Sequence, residues 1–209
     1  KDTIQNIDVV YNYGVYDFNT PNFYLKFAQG KLLYNLDRNN FTPFYNYYSK
    51  QNRWIKEQVL NLNPSEKQNL FNFLQNNLKP ENRTYKYDFF FDNCATKIRD
   101  VLATVLKGKI SYQDGFESSS YTFRELIQKN VDWNTWGSFG MDIAIGAVGD
   151  RKATYWEYQF LPEYVFKATD KAKLNRGQED ISLVKKTINL FINSPEENKS
   201  NFFTSPLFI

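Results

Sequence analysis

The stretch YDFFFDNCATKIRDVL, residues 87–102, sets an aromatic run against an Asp-Asn pair and then changes period. From Ala95 onward, Ile98, Val101, Leu102, Val105 and Leu106 recur at the three-and-four spacing of a buried helical face, and Gly108 supplies a stop. Asp92 or Asn93 is the natural N-cap. Cys94, the only cysteine, therefore falls in the first helical turn, where unsatisfied backbone N–H groups and the positive end of the helix dipole favour a thiolate. That position predicts an accessible thiol of lowered pKa, a nucleophile at a strand-to-helix junction. The competing reading is a small apolar core residue. The chain has no histidine, so the base that a cysteine nucleophile needs is missing from it.

Composition narrows the partners. The chain has 209 residues, 42% hydrophobic and 18% aromatic, which bounds it to one sizeable domain or a domain with an added helical lobe. A net charge of +3 gives no electrostatic case for nucleic acid. A single cysteine rules out an internal disulfide and leaves the compartment open. The longest apolar run, FGMDIAIGAV at 139–148, is about half a membrane span and carries an Asp. The opening KDTIQNIDVVYNYG and the apolar SPLFI at 205–209 read as cut from a longer protein.

On the N-terminal side, IDVVYNYGVYDF predicts a strand over 8–13 and KLLYNL another over 31–36, joined by an aromatic-rich connection at 20–30. RWIKEQVLNL at 53–62 fits either element. NPSEKQNLFNFLQNNL is a helix start with Asn63 as cap, Pro64 at the first position and Glu66 at the third. Leu70, Phe71, Leu74 and Leu78 share its apolar face, and Pro80 ends it. YKYDFFF predicts a strand over 85–91. On the C-terminal side, Thr122 and Glu125 form a second capping box before FRELIQ. A Gly-punctuated apolar segment, a charged turn at Asp150 and Arg151, and a helix after Pro162 follow. DISLVKKTINLFIN at 180–193 reads as an amphipathic helix. The expectation is an α+β fold with a helical C-terminal part, divided into a catalytic domain at 1–170 and a helical extension at 171–209 leading toward membrane spans.

YKYDFFFDNCATKIRD, with VVYNYGVYDFNTPNFYLKFAQGKLLY upstream and TFREL, GAVGDRKAT and FLPEYV downstream, resembles the N-terminal periplasmic domain of Lnb, the lipoprotein N-acyltransferase family of Bacteroides and relatives. The resemblance runs from about Asp8 to Val165. The Cys-bearing unit is also similar to a permuted papain-like (NlpC/P60) core, in which a His-bearing strand precedes the Cys-bearing helix. Family members carry a Gly-His-Thr type motif upstream of the strand matching IDVVYNYG, which implies a histidine roughly ten to twenty residues before Asp8 and an open sheet edge or groove beside Cys94.

The activity so implied is a thiol acyltransferase in the periplasmic domain of an inner-membrane protein, without metal or cofactor. Cys94 attacks a phospholipid acyl ester, and the thioester passes to the N-terminal amine of a lipoprotein at the membrane surface. Asp92 and Asn93 are candidates to orient the histidine or donate to the oxyanion, against simple capping. Thr96 and the Cys94 N–H are oxyanion candidates by position. Tyr87 is a candidate for the site rim, against core packing. Arg99 and Arg124 are candidate phosphate ligands, against solvated helix residues. Asp150 and Arg151 are candidate headgroup ligands, against a local ion pair. Sequons at Asn40, Asn82 and Asn198 carry no weight in a bacterial protein. A cell-wall cysteine peptidase or amidase of the NlpC/P60 type is the alternative, and a non-catalytic binding domain the third reading.

Overall fold

The computed structural model describes residues 1, 6–132 and 134–194, with Tyr24 and Ala28 described by backbone only. The sequon at Asn198 and the apolar end at 205–209 lie outside the described residues. The fold is α+β, and the described chain forms two compact units, 1–113 with 159–194, and 114–158.

In the first unit, β1 (Val9–Val15) pairs antiparallel with β2 (Leu33–Asn40), and β2 with β4 (Thr84–Lys86), in the order β1-β2-β4. β3 (Ile55–Leu60) pairs with β8 (Val184–Phe191), and the short β5 (Ile110–Ser111), β6 (Lys173–Asn175) and β7 (Asp180–Ser182) form a third sheet. Helices α1 (Phe23–Ala28), α2 (Phe41–Lys50), α3 (Pro64–Asn77), α4 (Cys94–Leu106) and α8 (Pro162–Lys171) complete it. The capping box at Asn63 forms as its sequence requires: Glu66 N donates to Asn63 Oδ1 at 2.9 Å, and Asn63 N to Glu66 Oε2 at 3.0 Å. Glu66 is buried, so it needs a counter-charge, and Arg176 supplies it with Nη2 donating to Oε2 at 2.8 Å. That guanidinium holds the Glu66 carboxyl below the ordinary carboxylate range.

α4 is covered on two sides, which fixes its orientation. Leu102 and Leu106 join Leu62, Leu174 and Leu183 in one apolar cluster, while Val101 packs with Tyr13 and Leu36 in another that Cys94 and Val105 border. On α3, Leu70, Leu74 and Leu78 face these clusters as their spacing predicts, but Phe73 takes the place expected of Phe71, which is exposed.

Three expectations are corrected. The connection at 20–30 contains the short helix α1. The strand expected over 85–91 stops at Lys86, because Asp88 and Asp92 exchange backbone bonds (3.0 and 3.1 Å) and Asp88 Oδ1 accepts from the amides of Phe90 and Phe91, both at 2.9 Å. A side chain that satisfies two backbone donors folds the chain into a turn and competes with the ladder. The helix expected at 180–193 is β7 and β8, so the C-terminal part is not helical there. Its apolar residues fit both periods, and the long pairing of β8 with β3 decides for strand.

The second unit comprises α5 (Phe123–Gln128), α6 (Trp136–Ile145), a 3-10 turn at Gly146–Asp150 and α7 (Tyr155–Tyr158). Thr122 caps α5 in the expected box with Glu125, and Phe123, Leu126, Ile127 and Tyr158 are buried. Only glycine fits at Gly149, where a Cβ would come within 2.1 Å of Ile145 Cγ2.

Candidate active site around Cys94

Asn93 organises the site. Its Oδ1 accepts from the amides of Ala95 (2.8 Å) and Thr96 (3.0 Å), and its Nδ2 donates to the carbonyls of Phe89 and Phe160, both at 2.8 Å. All four hydrogen-bonding positions of the amide are used, and the residue is 4% exposed. Thr96, fully buried, completes the box: its hydroxyl accepts from Asn93 N at 2.8 Å and donates to Asn93 O at 3.0 Å. Asn93 and Thr96 are therefore committed to capping, and neither has a donor to offer an oxyanion. Lys97 N donates to Asn93 O at 3.0 Å. Of the first-turn amides, those of Ala95 and Cys94 favour the thiolate form of Cys94.

The half-buried Cys94 side chain lies beside Gly14. A Cβ built on Gly14 would lie 3.8 Å from the Cys94 Cβ and 3.2 Å from Asn12 Oδ1, which already accepts from the Gly14 amide at 2.8 Å. The glycine sits where the β1–β2 register slips between Asn12 and Val15, so the strand passes close to the thiol with no side chain in between. Three tyrosines lie within electrostatic reach of Cys94. Tyr34 and Tyr87 stack with centroids 4.1 Å apart, and the Tyr85 hydroxyl donates to the Tyr13 carbonyl. Burial pushes the phenols of Tyr34, Tyr85 and Tyr87 up, Tyr34 to about 12; the negative charge of a Cys94 thiolate comes next for Tyr85 and Tyr87, and after that of Tyr16 for Tyr34. Tyr87 is half-buried, packed among aromatic rings and within electrostatic reach of the thiol. Tyr34 and Tyr85 were not singled out from the sequence, since nothing local to them signals proximity to Cys94.

Burial also pushes the Cys94 thiol up, outweighing the amides of Ala95 and Cys94 that pull it down. This corrects the expectation of a more acidic thiol: in these 209 residues desolvation exceeds the helix-terminus effect. Iodoacetamide should therefore label native Cys94 with a pH midpoint above that of free cysteine. A midpoint below it would show that the helix terminus dominates.

The other candidates separate. Asp92 does not cap α4; its carboxylate pairs with Lys97 at 2.7 Å, and the ammonium lies 4.5 Å from the centre of the Tyr85 ring. Arg99 is 6% exposed, with Nε donating to Asp100 Oδ1 at 2.7 Å, which corrects its reading as a solvated residue. Arg124, Asp150 and Arg151 belong to the second unit. There Arg124 pairs with Asp150 (2.6 Å) and Asp142 (3.0 Å), while Arg151 pairs with Glu157 (2.6 Å), so the expected Asp150–Arg151 pair is replaced by two pairs with other partners.

Beside Cys94 opens a groove of about 570 Å³, within the roughly 300–1,000 Å³ of small-molecule sites. Its walls come from β1, α2, β3, α4 and α8. The floor is an apolar stripe of α4, with Ile98 one turn beyond the thiol on the same helix face and Leu102 one turn further. Val10, Val165 and Phe166 add apolar walls. Ile98, assigned from spacing to the buried face, is 51% exposed, whereas Leu102 one turn further is buried. The outer edge of β1 has no strand partner among the described residues, as expected of a sheet able to accept another strand there. Among the described residues no cluster of His, Cys, Asp and Glu is placed to hold a metal ion, and no helix is long and apolar enough to cross a membrane.

A family model described as the Lnb N-terminal periplasmic domain matches residues 1–129, more than half of the chain. No curated protein and no solved structure matches it.

Proposed function

The chain belongs to the family of Lnb N-terminal periplasmic domains, and on that premise we propose that Cys94 is the nucleophile of a lipoprotein N-acyltransferase. The observation that carries this reading is the apolar groove at the thiol, with exposed Ile98 one helical turn away. A peptide-cleaving site would set polar partners there, whereas an acyl chain needs an apolar trough leading to the sulfur. The thiolate attacks the ester carbonyl of a phospholipid acyl chain, the lysophospholipid oxygen leaves, and a thioester remains on Cys94. The free amine of a lipoprotein's N-terminal cysteine then attacks the thioester, forms an amide and returns the thiolate. We assign the Cys94 amide as the backbone donor to the developing oxyanion, from its place at the first turn of α4.

The base is a histidine outside these 209 residues, on a strand that pairs with the outer edge of β1 in a permuted papain-like arrangement. The Gly14 gap supports this, because a strand there would bring an imidazole toward the sulfur with no β1 side chain in the way. An imidazolium beside the thiolate would also reverse the upward push that burial gives Cys94. Both substrates are membrane-borne, so the domain works at the bilayer surface of the inner-membrane protein that carries it.

The test uses the intact protein with phospholipid labelled in its acyl chain and a lipoprotein bearing a free N-terminal amine. Label should move to the lipoprotein, and Ile98→Asp, which sets a carboxylate in the trough at an already exposed position, should lower transfer about tenfold or more. Cleavage of cell-wall peptides indifferent to Ile98→Asp, with no label transfer, would establish the peptidase reading instead.

A further inference from the structure

Helix α6 has its sides reversed. Its two polar side chains, Ser138 and Asp142, are half-buried on one face, four residues apart, and Ile145 at the end of the helix is the one apolar side chain that joins them. Between 136 and 148 every exposed residue is apolar or glycine. Trp136 is 55% exposed, Phe139 50% and Ile143 67%, at the spacing of a single outward stripe, and Val148 extends it into the following turn. The inward face is pinned by polar contacts: Arg124 Nη1 donates to Asp142 O (2.8 Å) and Oδ1 (3.0 Å), Gln128 Nε2 donates to both Asp142 carboxylate oxygens at 3.2 Å, and Arg124 Nη2 donates to Gly146 O at 2.9 Å. A helix packed on a water-soluble body normally turns its charge outward and its apolar stripe inward. Here the lone charge of α6 is tied to α5, and Trp136, Phe139, Met141 and Ile143 are exposed while Ile145 is half-buried. That arrangement suits a lipid solvent.

We propose that α6 docks the domain on a phospholipid bilayer, with Trp136, Phe139 and Ile143 entering the boundary between headgroups and acyl chains. Three features favour lipid over a protein partner. Apart from the Trp136 indole N–H, the exposed stripe has no hydrogen-bonding side chain, whereas protein interfaces use about one hydrogen bond per 100–200 Å². Its exposed side chains amount to roughly 500 Å², short of the roughly 800 Å² per partner of a stable dimer. Trp at the margin of an apolar stripe is the residue that settles at headgroup depth. The stripe bears no cation, so attraction to anionic lipid is not required and binding rests on apolar insertion.

The experiment is flotation of the 209-residue chain with vesicles of phosphatidylcholine and phosphatidylethanolamine, at low and high salt. The wild-type chain should float at both. Phe139→Ser with Ile143→Ser should lower the bound fraction about tenfold or more, the single Ile143→Ser less, and both should keep the wild-type near-UV circular dichroism. Phe18→Ser with Leu25→Ser, exposed apolar positions in the other unit, should float like wild type, as should Cys94→Ala, which separates this proposal from the acyl-transfer reading. The proposal is overturned by a wild-type chain that stays with the aqueous fraction, by an equal loss in the Phe18 and Leu25 variant, or by a concentration-dependent dimer in light scattering that the α6 substitutions abolish.

Discussion

Cys94→Ala in the intact protein is expected to lower lipoprotein N-acylation by about 10⁴-fold or more, the scale on which removing a covalent nucleophile acts. On the proposed mechanism the sulfur holds the acyl group between the two substrates, so its loss removes both half-reactions. Cys94→Ser should be nearly as inactive, because a hydroxyl there would stay un-ionised under the desolvation that already raises the thiol. Stability should fall by no more than about 1 kcal/mol, since the half-buried thiol borders the Tyr13, Leu36 and Val101 cluster without filling its centre. Lipoproteins recovered with N-acylation unchanged in a Cys94→Ala strain would contradict the assignment.

Asn93→Ala is expected to destabilise the fold by about 2.5–8 kcal/mol. It removes the N-cap of α4, worth about 0.5–2 kcal/mol, and leaves the Phe89 and Phe160 carbonyls without their donor, at about 1–3 kcal/mol each. Asn93→Asp separates the two contributions. It keeps the cap acceptor but has no N–H for the two carbonyls and aims a charge at them, so it too should lose stability although Asp is a good cap. Urea unfolding checks both. An Asn93→Asp variant as stable as wild type would show that capping alone is the role of this residue. Because Asn93 ties the 88–92 turn, the first turn of α4 and Phe160 together, its loss should also free Cys94 from its place beside Gly14.

What was legible in the sequence was local. The boxes at Asn63 and Thr122 could be read because cap and partner lie three residues apart, and α4 could be read because its face repeats within thirteen residues. The choice between Asp92 and Asn93 as cap turned on the Asp88 turn, which draws Asp92 into a backbone pair and leaves Asn93 at the helix start. β8 was misread because its pattern fits two periods and the arbiter, β3, lies more than a hundred residues away in the chain. Arg99 was read as solvated on the strength of its residue type, while its burial depends on what packs around α4. The groove has no sequence signature, since it is assembled from strands and helices spread between Val10 and Thr169. The place of Cys94 at a capped helix start was legible, but the balance of its pKa was not, because desolvation is a property of the surrounding fold.

The central claim is a covalent one, and trapping the intermediate tests it most directly. The intact protein is incubated with phospholipid in the absence of any amine acceptor, and its mass is measured before and after hydroxylamine. The account predicts one added acyl chain, located on the peptide containing Cys94, released by hydroxylamine and absent from Cys94→Ala. An unmodified Cys94 in protein that still N-acylates lipoproteins, or an acyl group found on another residue, would contradict it.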